Sequence, residues 1–237
     1  VVEPCAFGSF LGKIELTIKN GNGVGDSYEL MEVDVKKYPA SPKMEKIVAQ
    51  YEGPYLENIQ KIVGYSTIPL YRYFVIENTI DTMILDAISW QIPDVDIVLS
   101  NGFRFCPLRP SPNPTGNIPI TNGFIFDMLP VISQIRTGQV TGNQISEWLE
   151  RELNNVFAAD ASKRFGGWVI KFKGMEMAFN AFGEEGKRVQ SALVQGQPIN
   201  LDRVYKMCAC ERDGDPDDML CRFKGVKETE NTPFTLH

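Results

Sequence analysis

The sequence predicts an α+β fold, a mixed sheet with packed helices, and three observations carry that prediction. Helix-like and strand-like stretches are mixed without the regular β-α alternation of a parallel sheet. Thr79–Trp90 and Thr141–Phe157 hold apolar residues at helical spacing behind capping residues. Short runs such as Phe10–Lys19, Val95–Leu99 and Val204–Cys210 have strand length and composition.

Taken in order, residues 6–35 read as strands. In Phe10–Lys19, Ile14, Leu16 and Ile18 face one way and Lys13, Glu15 and Thr17 the other. Asn20-Gly21-Asn22-Gly23 is turn chemistry, and Tyr28–Val35 returns as the partner strand. A lone hairpin is marginal in water, so this one is expected to pack on something else. Ser41-Pro42 opens a helix, with Glu45 placed to close a capping box. Met44, Ile47, Val48, Tyr51, Tyr55, Ile59, Ile62 and Val63 keep its spacing, and Gly53-Pro54 should kink it. Gly64–Tyr73 reads as a strand. In Thr79–Trp90, capped by Asn78 or Thr79, the stripe is Ile80, Met83, Ile84, Ala87 and Ile88, and Ile92-Pro93 ends it.

Asp94–Arg109, DVDIVLSNGFRFCPLR, starts as a strand and stops at Ser100-Asn101-Gly102. The proline-rich stretch 108–120 is expected to be a loop, Asn122–Met128 a short helix or strand, and Pro130–Thr137 a strand. Thr141 and Gln144 form a capping box for the next helix, whose core face is Ile145, Trp148, Leu149, Leu153 and Phe157. Lys43, Glu45 and Lys46, and the group Glu147, Glu150, Arg151 and Glu152, are assigned to exposed helix faces. Arg164–Phe172 reads as a loop running into a strand, followed by strands Val189–Val194 and Val204–Cys210. Glu211–Asp218 is an acidic loop, and the polar tail Lys224–His237 should wrap the surface or fray.

Composition excludes several classes. A net charge of −6 gives no footprint for a nucleic acid polymer. No apolar run reaches the roughly 18 residues of a membrane span. The single histidine is the last residue, His237, so neither a Ser-His-Asp nor a Cys-His centre can be assembled. There is no phosphate loop and no G-x-G-x-x-G. The five cysteines define no disulfide framework, and Cys208-Ala209-Cys210 lacks the further ligands a zinc site needs; buried small apolar residues are the expected role. The first residue is not Met, which leads us to expect an upstream part.

Three loops remain as candidate sites. Asn101 and Arg104, on the turn with Gly102 and Phe103, combine a donor–acceptor amide with a planar cationic fork suited to an oxyanion; a plain strand end with a surface Arg is the alternative. Phe165-Gly166-Gly167-Trp168 sets two glycines between aromatics, allowing close approach of a ligand or of another strand. Asp213, Asp215 and Asp217 around Gly214 partly follow a calcium loop. Asp218 and Lys224 fall where that loop needs Gly and Glu, which leaves a solvated turn as the plainer reading.

Several stretches in order resemble the C-terminal domain of 5′-nucleotidase-type metallophosphoesterases. They are LYRYFVIENTIDTMILDAI (Leu70–Ile88), DIVLSNGFRF (Asp96–Phe105), VTGNQISEWLE (Val140–Glu150) and RFGGW (Arg164–Trp168). The flavour is nearest the thiosulfohydrolase branch. The resemblance implies a two-domain parent protein outside the cytoplasm, periplasmic or extracellular. Its N-terminal partner domain would carry two divalent metals, and this chain no cofactor and no catalytic residue. Residues 1–37 would be terminal strands of that metal domain, 38–64 a connecting helix, and 65–237 the C-terminal domain that grips a small anionic substrate. The implied substrate-binding residues are Asn101, Gly102, Phe103, Arg104, Phe165, Gly166, Gly167, Asp215 and Asp217.

Departures from the family pattern bear on the substrate. Where nucleotidases place one base-stacking aromatic after a proline, this chain has Pro130-Val131. The other aromatic has no counterpart in Cys208–Asp218, and a further substrate Arg is replaced around Ile76, with Arg72 near but out of register. Stacking is worth about 1–3 kcal/mol per base, so these losses argue against a nucleotide as native substrate. A non-catalytic ligand- or protein-binding module that keeps the fold is the alternative, and a purely structural domain a third.

Overall fold

The structure, a computed structural model, describes residues 8–34, 36–72, 74–101, 117–210 and 214–237. The chain divides into two compact units, residues 1–57 and 58–237.

In the first unit, β1 (Phe10–Lys19) and β2 (Asn22–Glu32) form an antiparallel hairpin. The turn is tighter than expected: only Asn20 and Gly21 form it, both with positive φ, and Asn22 already pairs with Lys19. Register puts Ile14 opposite Tyr28 and Gly12 opposite Leu30, so one face is apolar, and Ile14, Leu16, Ile18, Tyr28 and Leu30 are all exposed. Helix α1 (Pro42–Glu52) starts with Pro42 in its first turn, but Ser41 makes no side-chain cap, so the expected capping box is absent. A 3-10 turn over Gly53–Tyr55 breaks the helix as expected before α2 (Leu56–Gln60), which runs into the second unit.

The helical spacing of Ile62 and Val63 misleads: they open β3 (Ile62–Ser66), which pairs with β5 (Ile118–Thr121) inside the stretch expected to be loop. A pairing partner about fifty residues away, invisible to local periodicity, decides this. Helix α3 (Thr79–Gln91) begins at the Asn78 cap. Its stripe differs at three positions, since Asp81 and Leu85 are buried and Ala87 is exposed. Strand β4 (Ile97–Ser100) is buried throughout. Helix α4 (Asn122–Met128) is capped by Thr121, and β6 occupies Gln134–Thr141, later than the expected 130–137. Helix α5 (Gly142–Phe157) has the predicted Thr141–Gln144 capping box.

Strands β7 (Lys171–Lys173), β8 (Met175–Phe179), β9 (Val189–Val194), β10 (Gln197–Pro198) and β11 (Val204–Cys210) follow. Next come the small hairpin β12 (Met219–Leu220) and β13 (Phe223–Lys224), and then β14 (Lys227–Thr235). The last strand corrects the expectation of a fraying tail. It pairs with β6 at the edge of the main sheet, where an edge strand with one solvated face reads as polar.

The main sheet has the order β14-β6-β11-β4-β7. It is mixed: β11 runs parallel to β4, and the other pairs are antiparallel. Alternation along β4 sends Ile97 and Leu99 into a core with Trp148 and Leu149 of α5, while Val98 packs with Ile80 and Ile84 of α3 and Phe124 of α4. β8, β9 and β10 form a separate sheet whose Met175 and Val194 join the α5 core. No helix among the described residues is long and apolar enough to cross a membrane.

Candidate functional site

Parallel pairing of β4 with β11, Ile97–Leu99 against Met207–Ala209, brings the chain out of both strands at one edge of the sheet. The antiparallel strands β6 and β7 enter at that same edge, with Ile135 opposite Cys210 and Lys171 opposite Ser100. Asn101 after β4, the segment leading to Lys171 and the end of β11 at Cys210 are therefore placed at the same end of the sheet.

The first two are joined directly. Trp168 Nε1 donates to the carbonyl of half-buried Asn101 at 2.6 Å. Gly102, Phe103 and Arg104 lie outside the described residues. Phe165 is exposed, and Gly166 has a φ of +82, a backbone conformation that favours glycine. Gly167 borders open space, so no neighbour demands a glycine there. On the third loop Asp215 is half-buried. The exposed Asp217 carboxylate lies 3.9 Å from Arg136 Nη1, a contact worth little at that exposure.

Beneath this edge lies a buried polar network that only partly shows in the sequence. Asp81 Oδ1 accepts from Arg72 Nη2 at 2.8 Å, from Arg72 Nε at 3.2 Å and from Ser100 Oγ at 2.8 Å. Asp81 Oδ2 accepts from Asn78 Nδ2 at 2.6 Å, and Asn78 Oδ1 caps α3 by accepting from the Asp81 N–H. Thr79 Oγ1 accepts from the Tyr71 N–H and donates to Pro69 O. The L-Y-R, N-T-I-D and L-S-N stretches thus belong to one bonded cluster, which fixes the last residue of β4 and so the departure of Asn101. The signal for Asp81 was an acid on the same helical face as Ile84, Leu85 and Ile88.

Lys171 adds a buried cation. Its Nζ donates to the carbonyls of Phe74, Val75 and Val169 at 3.1, 2.8 and 2.9 Å. Burial, opposed mainly by nearby Asp81, pulls its pKa down to about 8. Glu152, assigned from sequence to an exposed helix face, is instead buried on α5 and ion-paired to Arg222. Burial raises its carboxyl pKa, with Arg222 the main opposing influence. Glu150 is half-buried and accepts from the Arg188 and Val189 N–H groups. A charge that repeats at helical spacing looks solvated in sequence whether or not a partner waits for it.

Cys208, Cys210 and Cys221 are buried, as expected, with free thiols. Burial pushes Cys208 up to about 12 and Cys210 up to about 11. The described residues hold no group of three or more metal-ligating side chains. A cleft of about 460 Å³ opens beside the network, between α3 and the β7–β8 segment. Its innermost polar groups, Asp81 and Lys171, are already fully engaged within the protein, which leaves the loop edge as the better candidate site.

Residues 62–210 match the family model described as 5′-nucleotidase, C-terminal domain. No curated protein matches the chain significantly. Among solved structures, the sulfate thiohydrolase SoxB of Thermus thermophilus aligns with TM-score 0.74 and 20% identity, covering 88% of this chain and 40% of that one. A 5′-nucleotidase precursor, also from Thermus thermophilus, aligns with TM-score 0.77 and 18% identity, covering 97% and 45%. The Haemophilus influenzae NAD nucleotidase aligns more loosely, with TM-score 0.50, 16% identity and coverage of 88% and 45%. At these identities the likeness is one of fold, and the chain spans less than half the length of each of these proteins.

Proposed function

This chain belongs to the 5′-nucleotidase C-terminal domain family, and from that premise we propose that it is the substrate-binding domain of a metal-dependent hydrolase. The observation that carries the reading is the gathering of the Asn101, Phe165–Trp168 and Asp215–Asp217 segments at one sheet edge, two of them tied by the Trp168–Asn101 hydrogen bond. Asn101 orients the non-reacting end of a small anionic substrate, and Arg104 clamps its oxyanion. Two divalent metals on an N-terminal domain would act as Lewis acid and hydroxide source. The exposed apolar face of the β1–β2 hairpin suits residues 1–37 to packing as terminal strands on that domain, with the stretch from 38 up to the start of β3 as the connector. On this reading the protein works in the periplasm or outside the cell.

The substrate class follows from the departures at Pro130-Val131 and in the Cys208–Asp218 loop. With base stacking weakened, a sulfur-containing or other non-nucleotide anion is favoured over a nucleotide in a catabolic pathway. The same departures support a second reading, a non-catalytic module that binds a ligand or protein while keeping the fold.

Thermal-shift titration of the 237-residue chain with sulfate, phosphate, thiosulfate and AMP tests the site. At least one anion should stabilise the wild type more than an Arg104→Ala variant. Equal or absent shifts would defeat the site. Upstream sequence in the gene product carrying D-x-H, N-H-E and G-H-x-H motifs would favour the enzyme reading over the binding module.

A further inference from the structure

Arg222 is an unexpected cation in this part of the molecule. It sits with Cys221 in the two-residue turn of the β12–β13 hairpin, where Leu220 pairs with Phe223. Both turn residues have positive φ, +51 for Cys221 and +66 for Arg222. Such a turn ordinarily takes Asn-Gly, and a Cys-Arg pair holds it only under strain.

Its side chain is anchored from below and flanked by rings. Nη2 donates to Glu152, a carboxylate side chain 1% exposed on a helix face otherwise made of Ile145, Trp148, Leu149 and Leu153. The guanidinium carbon lies 5.9 Å from the Phe165 ring centroid and 6.0 Å from that of Trp168. The same Trp168 ring donates to Asn101, so Arg222 and the end of β4 share one intermediary.

A simple structural clamp would turn Nε and Nη2 together onto the carboxylate. Here Nε is buried with no hydrogen-bond partner among the described residues, and only Nη2 is committed to Glu152. Nη1 is directed toward Gly166, and a Cβ added there would stand 3.8 Å from it. Nη1 hydrogen-bonds to no described residue and, unlike Nε, is not a buried orphan, so it is the nitrogen left open to a ligand beside that turn.

Resting on the function proposed above, we propose that Arg222 is a specificity-determining residue of the site. Anchored by Glu152 and flanked by Phe165 and Trp168, it presents Nη1 across Gly166 to a tetrahedral oxyanion on the substrate. Because Glu152 balances its charge, recognition depends on directed N–H donors more than on net charge. Lysine, a point cation without the fork, should not replace it.

Calorimetric titration of the 237-residue chain with sulfate and, separately, with inorganic phosphate tests this and separates sulfur from phosphorus oxyanions. The wild type should bind at least one of them, and Arg222→Lys should lose tenfold or more in affinity for it. In a Trp90→Phe, Trp148→Phe background, which leaves Trp168 as the single tryptophan, the anion should change the fluorescence, and Arg222→Lys should abolish that change. Binding that survives Arg222→Lys but falls with Arg104→Ala would overturn the role of Arg222 and leave the proposed site standing. Absence of binding to the wild type would overturn both. If Arg222→Lys does not fold, Glu152→Gln, which removes the anchoring charge at a residue outside the site, takes its place: altered affinity for the anion supports the proposal, and unchanged affinity refutes it.

Discussion

Arg72 and Asp81 form an ion pair, 2.8 Å from Nη2 to Oδ1, in which each side chain is only 1% exposed. A buried pair is costly to assemble but more costly to halve, because the surviving charge has no solvent to return to. Asp81 also receives Ser100 and Asn78, so its loss would free the end of β4 as well as the start of α3.

Asp81→Asn should therefore destabilise the fold by about 3–5 kcal/mol, measured by urea denaturation. Ser100→Ala removes one bond to the carboxylate and should cost about 1.5–3 kcal/mol. A loss under about 1 kcal/mol for Asp81→Asn would mean that the network is not a structural centre.

Lys171 makes a pH-dependent contribution. Burial lowers its pKa from 10.5 to about 8, so the folded state disfavours the charged form. Below pH 8 both states hold the proton and the penalty is fully present. Between about pH 8 and 10.5 the unfolded chain keeps a proton that the folded chain releases, so stability rises with pH across that window. Urea midpoints of the wild type should gain on those of Lys171→Met between pH 8 and 10.5. A constant difference would refute the shift.

The start of α5 is held by a cap and by close packing. Thr141→Ala removes the capping box at a cost of about 1 kcal/mol. Gly142→Ala should cost more, about 1–3 kcal/mol, since an added Cβ would stand 2.1 Å from the Asn200 carbonyl oxygen. Denaturation of the two variants should preserve that order.

The buried thiols should be inert in the native state, because burial raises the pKa of Cys208, Cys210 and Cys221 and leaves little thiolate near neutrality. In a Cys5→Ser, Cys106→Ser background, native protein near neutral pH should take up no iodoacetamide over minutes. Three labels should appear in denaturant, counted by mass spectrometry. Rapid native labelling would place a thiol at the surface.

Local chemistry was legible wherever neighbours in sequence are neighbours in space. The Asn78 and Thr141 caps, the 3-10 break at Gly53-Pro54, and β1, β4, β9 and β11 all follow from periodicity and turn residues. β5 and β14 did not, and β3 only in part, since the strand expected over Gly64–Tyr73 runs from Ile62 to Ser66; distant partners define all three. Asp81 and Glu152 were hidden for a related reason: a carboxylate is read as solvated until the arginine that permits its burial is placed beside it.

By itself the sequence determined the α+β class, the family resemblance and the absence of an internal histidine, and it singled out Asn101 and Phe165–Gly167. These rest on residue identity and short spacing. Only the tertiary structure decided that the Asn101 and Trp168 segments touch, that Arg72 and Asp81 support the end of β4, and that Arg222 lies beside Phe165 and Trp168. The physical reason is the sheet order: β4 sits between β11 and β7, so the pairing of strands about seventy or more residues apart places those loops along one edge.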